Sequence, residues 1–274
     1  MCLAMCLATA QTPEPAKPAA SPAGAPSGPA AKETKPPVIE TPPDIKAITE
    51  ANKIADPEKK IEAYQKIKKD FPKSTGGDAA DSMILSTLIK KMPDQRARIQ
   101  KQAQSNYRAA AAKERGSEAY GIATEFLNAG ILLNDAEGYA KKSVQSMVLA
   151  NYLQEEAAGY KERKQNPPST EELHKRFREN RAGRVAVLGR IELKLGKTAQ
   201  GQKLLEEVYA VTRDNGLADA ALGELAAKAG DDSKALEYLI PARLSGKAPD
   251  TAIAAMDAIY RKRAQRQPGR SRGH

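Results

Sequence analysis

The stretch LGRIELKLGKTAQGQKLLEEV, residues 188–208, returns 34 positions later as LGELAAKAGDDSKALEYLIPA, residues 222–242. Leu188-Gly189, Lys194, Gly196, Gly201, Leu205 and Val208 have as counterparts Leu222-Gly223, Lys228, Gly230, Ala235, Leu239 and Ala242. A fixed period of this length marks a stacked array of helical hairpins. Each copy reads as an apolar helix that ends at Gly196 or Gly230, since glycine accepts the left-handed backbone that stops a helix and turns the chain back. A short polar linker follows, with Thr198, and Asp232 or Ser233, placed to cap the second helix. Gly189, Gly223, Gly201 and Ala235 are small enough to let paired helices approach, and Leu205 and Leu239 fill the space between them.

The same reading extends upstream. Order is expected to begin near Pro43-Asp44. Asp56-Pro57-Glu58 is a helix start, with Asp56 as cap and Pro57 in the first turn. That helix carries Ile61, Tyr64 and Ile67 on one side and stops at Phe71-Pro72. Further helices are predicted over 78–92, 94–114, 117–129 and 134–157, from apolar residues at helical spacing. Gln165-Asn166-Pro167-Pro168 is a loop, and Ser169 with Glu172 forms a capping-box pattern that opens the next helix. Pro249-Asp250 begins the last one. No segment alternates apolar and polar residues as a strand does, so the chain is read as all-α.

The residues of the two copies resemble the tetratricopeptide repeat family, in the Leu-Gly pair, the turn glycine and the small and large apolar residues of the second helix. Two features depart from the family pattern. Glu192 and Ala226 stand where an aromatic is usual, and the closing proline is absent from both copies. Weaker echoes lie at Ala63-Tyr64, Ile67 and Phe71-Pro72, and at Ala123, Phe126 and Gly130 followed by Ala136 and Ala140. The resemblance implies antiparallel hairpins stacked into a right-handed superhelix. The folded span has room for about six of them. Five regions follow: a truncated signal peptide at 1–10, a Pro/Ala-rich disordered linker at 11–43, degenerate helical repeats at 44–181, repeats plus a last helix at 182–260, and a basic tail at 261–274.

Composition narrows the function classes. Both cysteines, Cys2 and Cys6, fall in the first six of 274 residues, so the body can build no disulfide framework, zinc cluster or CxxC pair. The net charge of +10 is concentrated at the end: residues 261–274 carry six Arg and Lys and no acid. MCLAMCLATAQ resembles the end of a secretory signal, with Ala8-Thr9-Ala10 as an A-x-A cleavage pattern. Cleavage after Ala10 and a periplasmic or secreted location are the expectation, with a lipid anchor at Cys6 as a minor alternative. Residues 11–43 hold too few large apolar side chains to offset the entropy of ordering them.

The parts of common active sites are missing from the body. Gly196-Lys197-Thr198 looks like the end of a phosphate-binding loop, but Ile191 occupies the position where that loop needs its first glycine. His174 sits among charged residues, and no second His or Cys lies near it. Glu155-Glu156 and Glu171-Glu172 are adjacent, so each pair splits across its helix and reads as solvated charge. No catalytic residue, metal ligand or cofactor is expected.

The resemblance implies a binding groove on the first helix of each hairpin. Carried onto this chain, its polar members are Arg190 and Lys194, then Glu224 and Lys228. Arg190 and Lys194 share a helix face, and Lys194 and Lys228 hold equivalent places one period apart. The expected role is a non-catalytic protein-binding scaffold or adaptor whose basic stripe reads an acidic peptide or a C-terminal carboxylate. A second class is the helical part of a thioredoxin-like thiol–disulfide enzyme whose catalytic domain lies outside this chain. A third is binding of nucleic acid or anionic lipid through the tail. The absence of interleaved aromatics there argues against nucleic acid.

Overall fold

The computed structural model describes residues 41–265 except positions 214 and 247. The expected signal peptide, nearly all of the expected linker, and the tail beyond residue 265 lie outside these residues. Among the described residues all regular secondary structure is helical, with no strand. The helices are α1 (Pro43–Lys53), α2 (Pro57–Asp70), α3 (Thr75–Lys91), α4 (Arg96–Ala109), α5 (Arg115–Ala129), α6 (Leu133–Ser146), α7 (Leu149–Glu162), α8 (Thr170–Lys194), α9 (Thr198–Val211), α10 (Gly216–Lys228), α11 (Asp232–Leu244) and α12 (Asp250–Gln265). The most extensive packing joins chain neighbours: α2 with α3, α5 with α6, α8 with α9, and α10 with α11. Consecutive hairpins also touch, α6 meeting α8 and α9 meeting α10, while α12 covers both α10 and α11.

Three of the hairpins turn in the same way. Gly130, Gly196 and Gly230 have φ of 68°, 79° and 80°. In each, the glycine N–H donates to the carbonyl three residues back, and the next N–H donates to the carbonyl five back. The pairs are Gly130 to Leu127 and Ile131 to Phe126, Gly196 to Leu193 and Lys197 to Glu192, and Gly230 to Ala227 and Asp231 to Ala226. This double bond satisfies carbonyls that a helix end leaves open. The upstream echo at Ala123, Phe126 and Gly130 is therefore a third hairpin of the same construction. Gly130 precedes Gly196 by 66 residues instead of 34. The extra chain is α7 and the first half of α8. Helix α7 packs on α8 alone and buries none of its residues. Because α6 lies directly against α8, the stack continues past this excursion.

The hairpins close tightly where the small residues stand. A Cβ built on Gly201 would lie 2.7 Å from the Gly189 carbonyl oxygen, so the two backbones nearly touch. Leu205 and Leu239 are 0% and 1% exposed at these crossings. Three apolar clusters run along the stack and share helices. Helix α8 gives Val187 and Ile191 to the first and Ala182, Val185 and Ala186 to the second, while α10 serves the second and third. Truncating Leu205 or Leu239 to Ala would cost about 2–5 kcal/mol at such positions.

The first hairpins are anchored by polar bonds. The Asp44 carboxylate, buried, accepts from the Gly76 N–H at 2.9 Å and ties α1 to the start of α3. That bond holds the Asp44 carboxyl below its ordinary pKa. Asp56 accepts from the Lys59 N–H at 2.9 Å and Ser169 from the Glu172 N–H at 3.2 Å, as their cap patterns predict.

Several expectations need correction. The helix predicted over 134–157 is two, α6 and α7, broken at Met147-Val148. At the break the Ser143 carbonyl accepts from the Ser146 hydroxyl at 2.7 Å and from the Arg184 guanidinium of α8 at 3.2 Å. The helix predicted over 94–114 stops at Ala109. The Ala109–Ala112 run has the highest intrinsic helix propensity, but propensity differs by only tenths of a kcal/mol per residue and tertiary context overrides it here. Helix α3 begins at Thr75, earlier than residue 78, because Ser74 caps it by accepting from the Gly77 N–H. Thr198 does not cap α9: it is the first helical residue and follows Lys197, which makes no side-chain cap bond. In α11 the cap is Asp231, which accepts from the Lys234 N–H at 3.0 Å. The regional boundary at 181/182 falls inside α8, one unbroken helix. The tail predicted from residue 261 is helical as far as Gln265, where Lys262 meets Asp232 at 2.8 Å.

Candidate functional site

The four groove residues come together. Arg190 and Lys194 lie one turn apart on α8, Glu224 and Lys228 one turn apart on α10, and all four line one cavity of about 870 Å³. Its walls are completed by Leu127 and Asn128 from the end of α5, and by Pro249 and Thr251 at the entry to α12. The period of the repeat produces this arrangement. Stacking the second hairpin on the first places residues 34 apart beside one another, so Lys194 and Lys228 project from matching turns.

The four differ in exposure and in partners. Lys194 and Lys228 are exposed, while Arg190 and Glu224 are half-buried. Among the described residues, neither lysine nor Arg190 has a carboxylate oxygen within 4.0 Å. Burial pushes the Arg190 guanidinium below its ordinary pKa, and the charge of Glu224 works in the opposite direction. Glu224 is held by the Thr251 hydroxyl, which donates to its Oε1 at 2.6 Å. The cavity thus carries three cations and one acid that is already bonded. Apolar surface from Leu193, Leu217, Ala220, Ala221 and Leu225 lies between them. Such a surface suits a chain segment that brings negative charge together with small apolar side chains.

The Gly196-Lys197-Thr198 triplet sits at the turn between α8 and α9. The Lys197 ammonium lies 2.6 Å from Glu137 on α6 and 3.4 Å from Glu192 on α8. Lys141 also pairs with Glu137 and approaches Glu192 at 4.0 Å. Glu192 is thus one arm of a four-residue ion network that joins two hairpins. The two lysines draw the Glu137 carboxyl down from 4.5 to about 2, Lys141 contributing first. Glu137 in turn raises the pKa of Lys197.

Two arrangements are not apparent from sequence spacing. One is this network, whose signal is a glutamate at an otherwise apolar helix position. The other is Arg184, immediately before the run Val185-Ala186-Val187 and bonded to three serines of α5 and α6. Glu155 and Glu156, read as split solvated charge, both line a second cavity beside it. Among the described residues no group of His, Cys, Asp and Glu is placed to hold a metal ion, and no helix is long and apolar enough to cross a membrane. No protein-family model matches the chain, and no curated protein aligns with it.

Proposed function

We propose that this chain is a non-catalytic binding scaffold of tetratricopeptide-like hairpins, exported from a bacterial cytoplasm. In this reading it holds an acidic peptide segment of a partner protein along α8 and α10. The observation that carries the reading is the shared cavity of Arg190, Lys194 and Lys228, three cations with no carboxylate within 4.0 Å. Repetition is the economical way to build such a stripe, since each added hairpin presents the same helix face again. The incoming segment would set its carboxylates against the two exposed lysines. Its backbone would lie over the alanines of α10, and a terminal or side-chain carboxylate would meet Arg190, whose planar fork suits two-point contact.

The test uses the full chain and a fluorescent peptide library that varies only in acidic content. Binding should rise with acidic residues and fall steeply with salt. The double substitution Lys194→Glu/Lys228→Glu should abolish the preference for acid while leaving the helical signal intact. An unchanged preference in that variant overturns the proposal. Export is tested separately, by asking whether a fusion to residues 1–43 reaches the periplasm and loses its first ten residues.

A further inference from the structure

A second cavity, of about 790 Å³, is lined by residues of α5, α6, α7 and α8. Arg184 lies on its wall over the ring of Tyr120, 5.7 Å from the centroid. Its Nη1 donates to the Ser143 carbonyl, to Ser143 Oγ at 2.9 Å and to Ser146 Oγ at 3.3 Å, and its Nη2 to Ser117 Oγ at 3.2 Å. These partners are all neutral. Among the described residues no carboxylate oxygen lies within 4.0 Å of the guanidinium, and its Nε makes no hydrogen bond. Burial pushes this arginine below its ordinary pKa, with Tyr120 acting in the opposite direction. An arginine kept half-buried without a counter-charge is costly unless something else brings one.

The neighbourhood is closely built. A Cβ on Gly116 would lie 1.9 Å from Ser146 Oγ and 3.1 Å from Arg184 Nη1, so only glycine fits beside the cluster. A Cβ on Gly183, which also lines the cavity, would meet nothing within 4 Å. Helix α7 contributes Glu155, Glu156, Asn151 and Tyr152. Neither glutamate has a Lys or Arg nitrogen within 4.0 Å among the described residues. One cavity therefore holds two cations, Arg184 and Lys113, and three acids, Glu155 and Glu156 on α7 and Glu179 on α8; of these acids only Glu179 has a cation, Lys175, within 4.0 Å, and the Asn151 amide side chain lines the same cavity.

We propose that this cavity binds a short peptide with free ends, its carboxylate on Arg184 and Ser117 and its ammonium on Glu155 and Glu156, with Asn151 serving the peptide amides. Charges of both signs call for a ligand that carries both. The volume is well above that of a single amino acid and within the range for a ligand of several residues. The site is separate from the groove of Arg190 and does not depend on it.

Titration calorimetry of the full chain with Ala-Ala-Ala tests this. The free tripeptide should bind. The C-terminal amide and the N-acetyl form should each bind at least about tenfold more weakly, as expected when a charged group loses its partner. Free alanine should bind more weakly than the tripeptide. Glu155→Gln/Glu156→Gln, on the loosely packed α7, should erase the penalty for N-acetylation. Arg184→Lys keeps the charge but loses the fork, and should erase most of the penalty for amidation while circular dichroism stays helical. The groove variant Lys194→Glu/Lys228→Glu should bind the tripeptide as the parent does. No binding of Ala-Ala-Ala at millimolar concentration, or equal binding of free and capped forms, overturns the proposal. So does parent-like discrimination in the glutamine pair, a variant whose folding does not hang on Arg184.

Discussion

A methyl group on Gly223 would stand 2.5 Å from Cγ of Leu239, and one period earlier the same construction on Gly189 meets Leu205 at 2.9 Å. Each leucine is packed into the space that its glycine leaves. Gly223→Ala therefore sets two effects against each other. Helix propensity favours alanine by about 1 kcal/mol, whereas overpacking a filled crossing costs about 1–3 kcal/mol. The clash should win, and urea unfolding should show a net loss. Gly121→Ala is the control, since its Cβ meets nothing within 4 Å. It should gain roughly 0.5–1 kcal/mol.

The caps separate what spacing suggests from what the chain uses. Asp231→Ala removes the acceptor for the Lys234 N–H and should lose about 1 kcal/mol. Thr198→Ala should cost far less, because Thr198 lies inside α9 and caps nothing. Equal losses in the two variants would show that the Asp231 bond contributes little.

The network around Glu137 gives the protein a distinct acid response. Its folded pKa, about 2, lies below the ordinary 4.5. A depressed carboxyl stabilises fully above its unfolded value, and the gain is lost as pH falls through the folded one. Glu137→Gln should therefore lower the melting temperature near pH 7. The gap to the parent should close progressively between about pH 4.5 and pH 2. Asp44 and Glu58 also have lowered pKa values but act in both proteins, so the difference isolates Glu137. A gap that stays constant over that range would rule the network out as its source.

Helix α12 runs through residues whose sequence reads as tail. A chain cut after Tyr260 would lose the last turn and the contact of Lys262 with Asp232. Lys262→Ala alone should cost less than about 1 kcal/mol, since the pair is partly exposed. The cut chain should lose more, together with protection of α12 amides in hydrogen exchange.

The repeat made the downstream hairpins legible because glycine at a bend and leucine opposite a glycine are local signals, written once per unit. Arg190, Lys194, Glu224 and Lys228 followed from the same period, and the stack does bring them to one cavity. Some departures from the expectations are local, as in the Ser74 and Asp231 caps, and others involve bonds distant in sequence. The end of α6 is bonded to Arg184, 38 residues beyond Ser146. The start of α3 depends partly on Asp44, 32 residues before Gly76. No reading by window or periodicity registers bonds of that span. Glu192 was visible as a departure from an apolar pattern, but its approach to Lys141, and the pairing of Lys197 with Glu137, emerge only when α6 lies against α8.

The direct contact of α6 with α8 bears on how such a chain can change. Some thirty residues of additional polypeptide leave the series and rejoin it without parting the neighbours on either side. The joints between hairpins thus act as docking ports for new material: a lineage can graft an accessory module there and refine it, while the elements that keep the molecule folded go on unaltered.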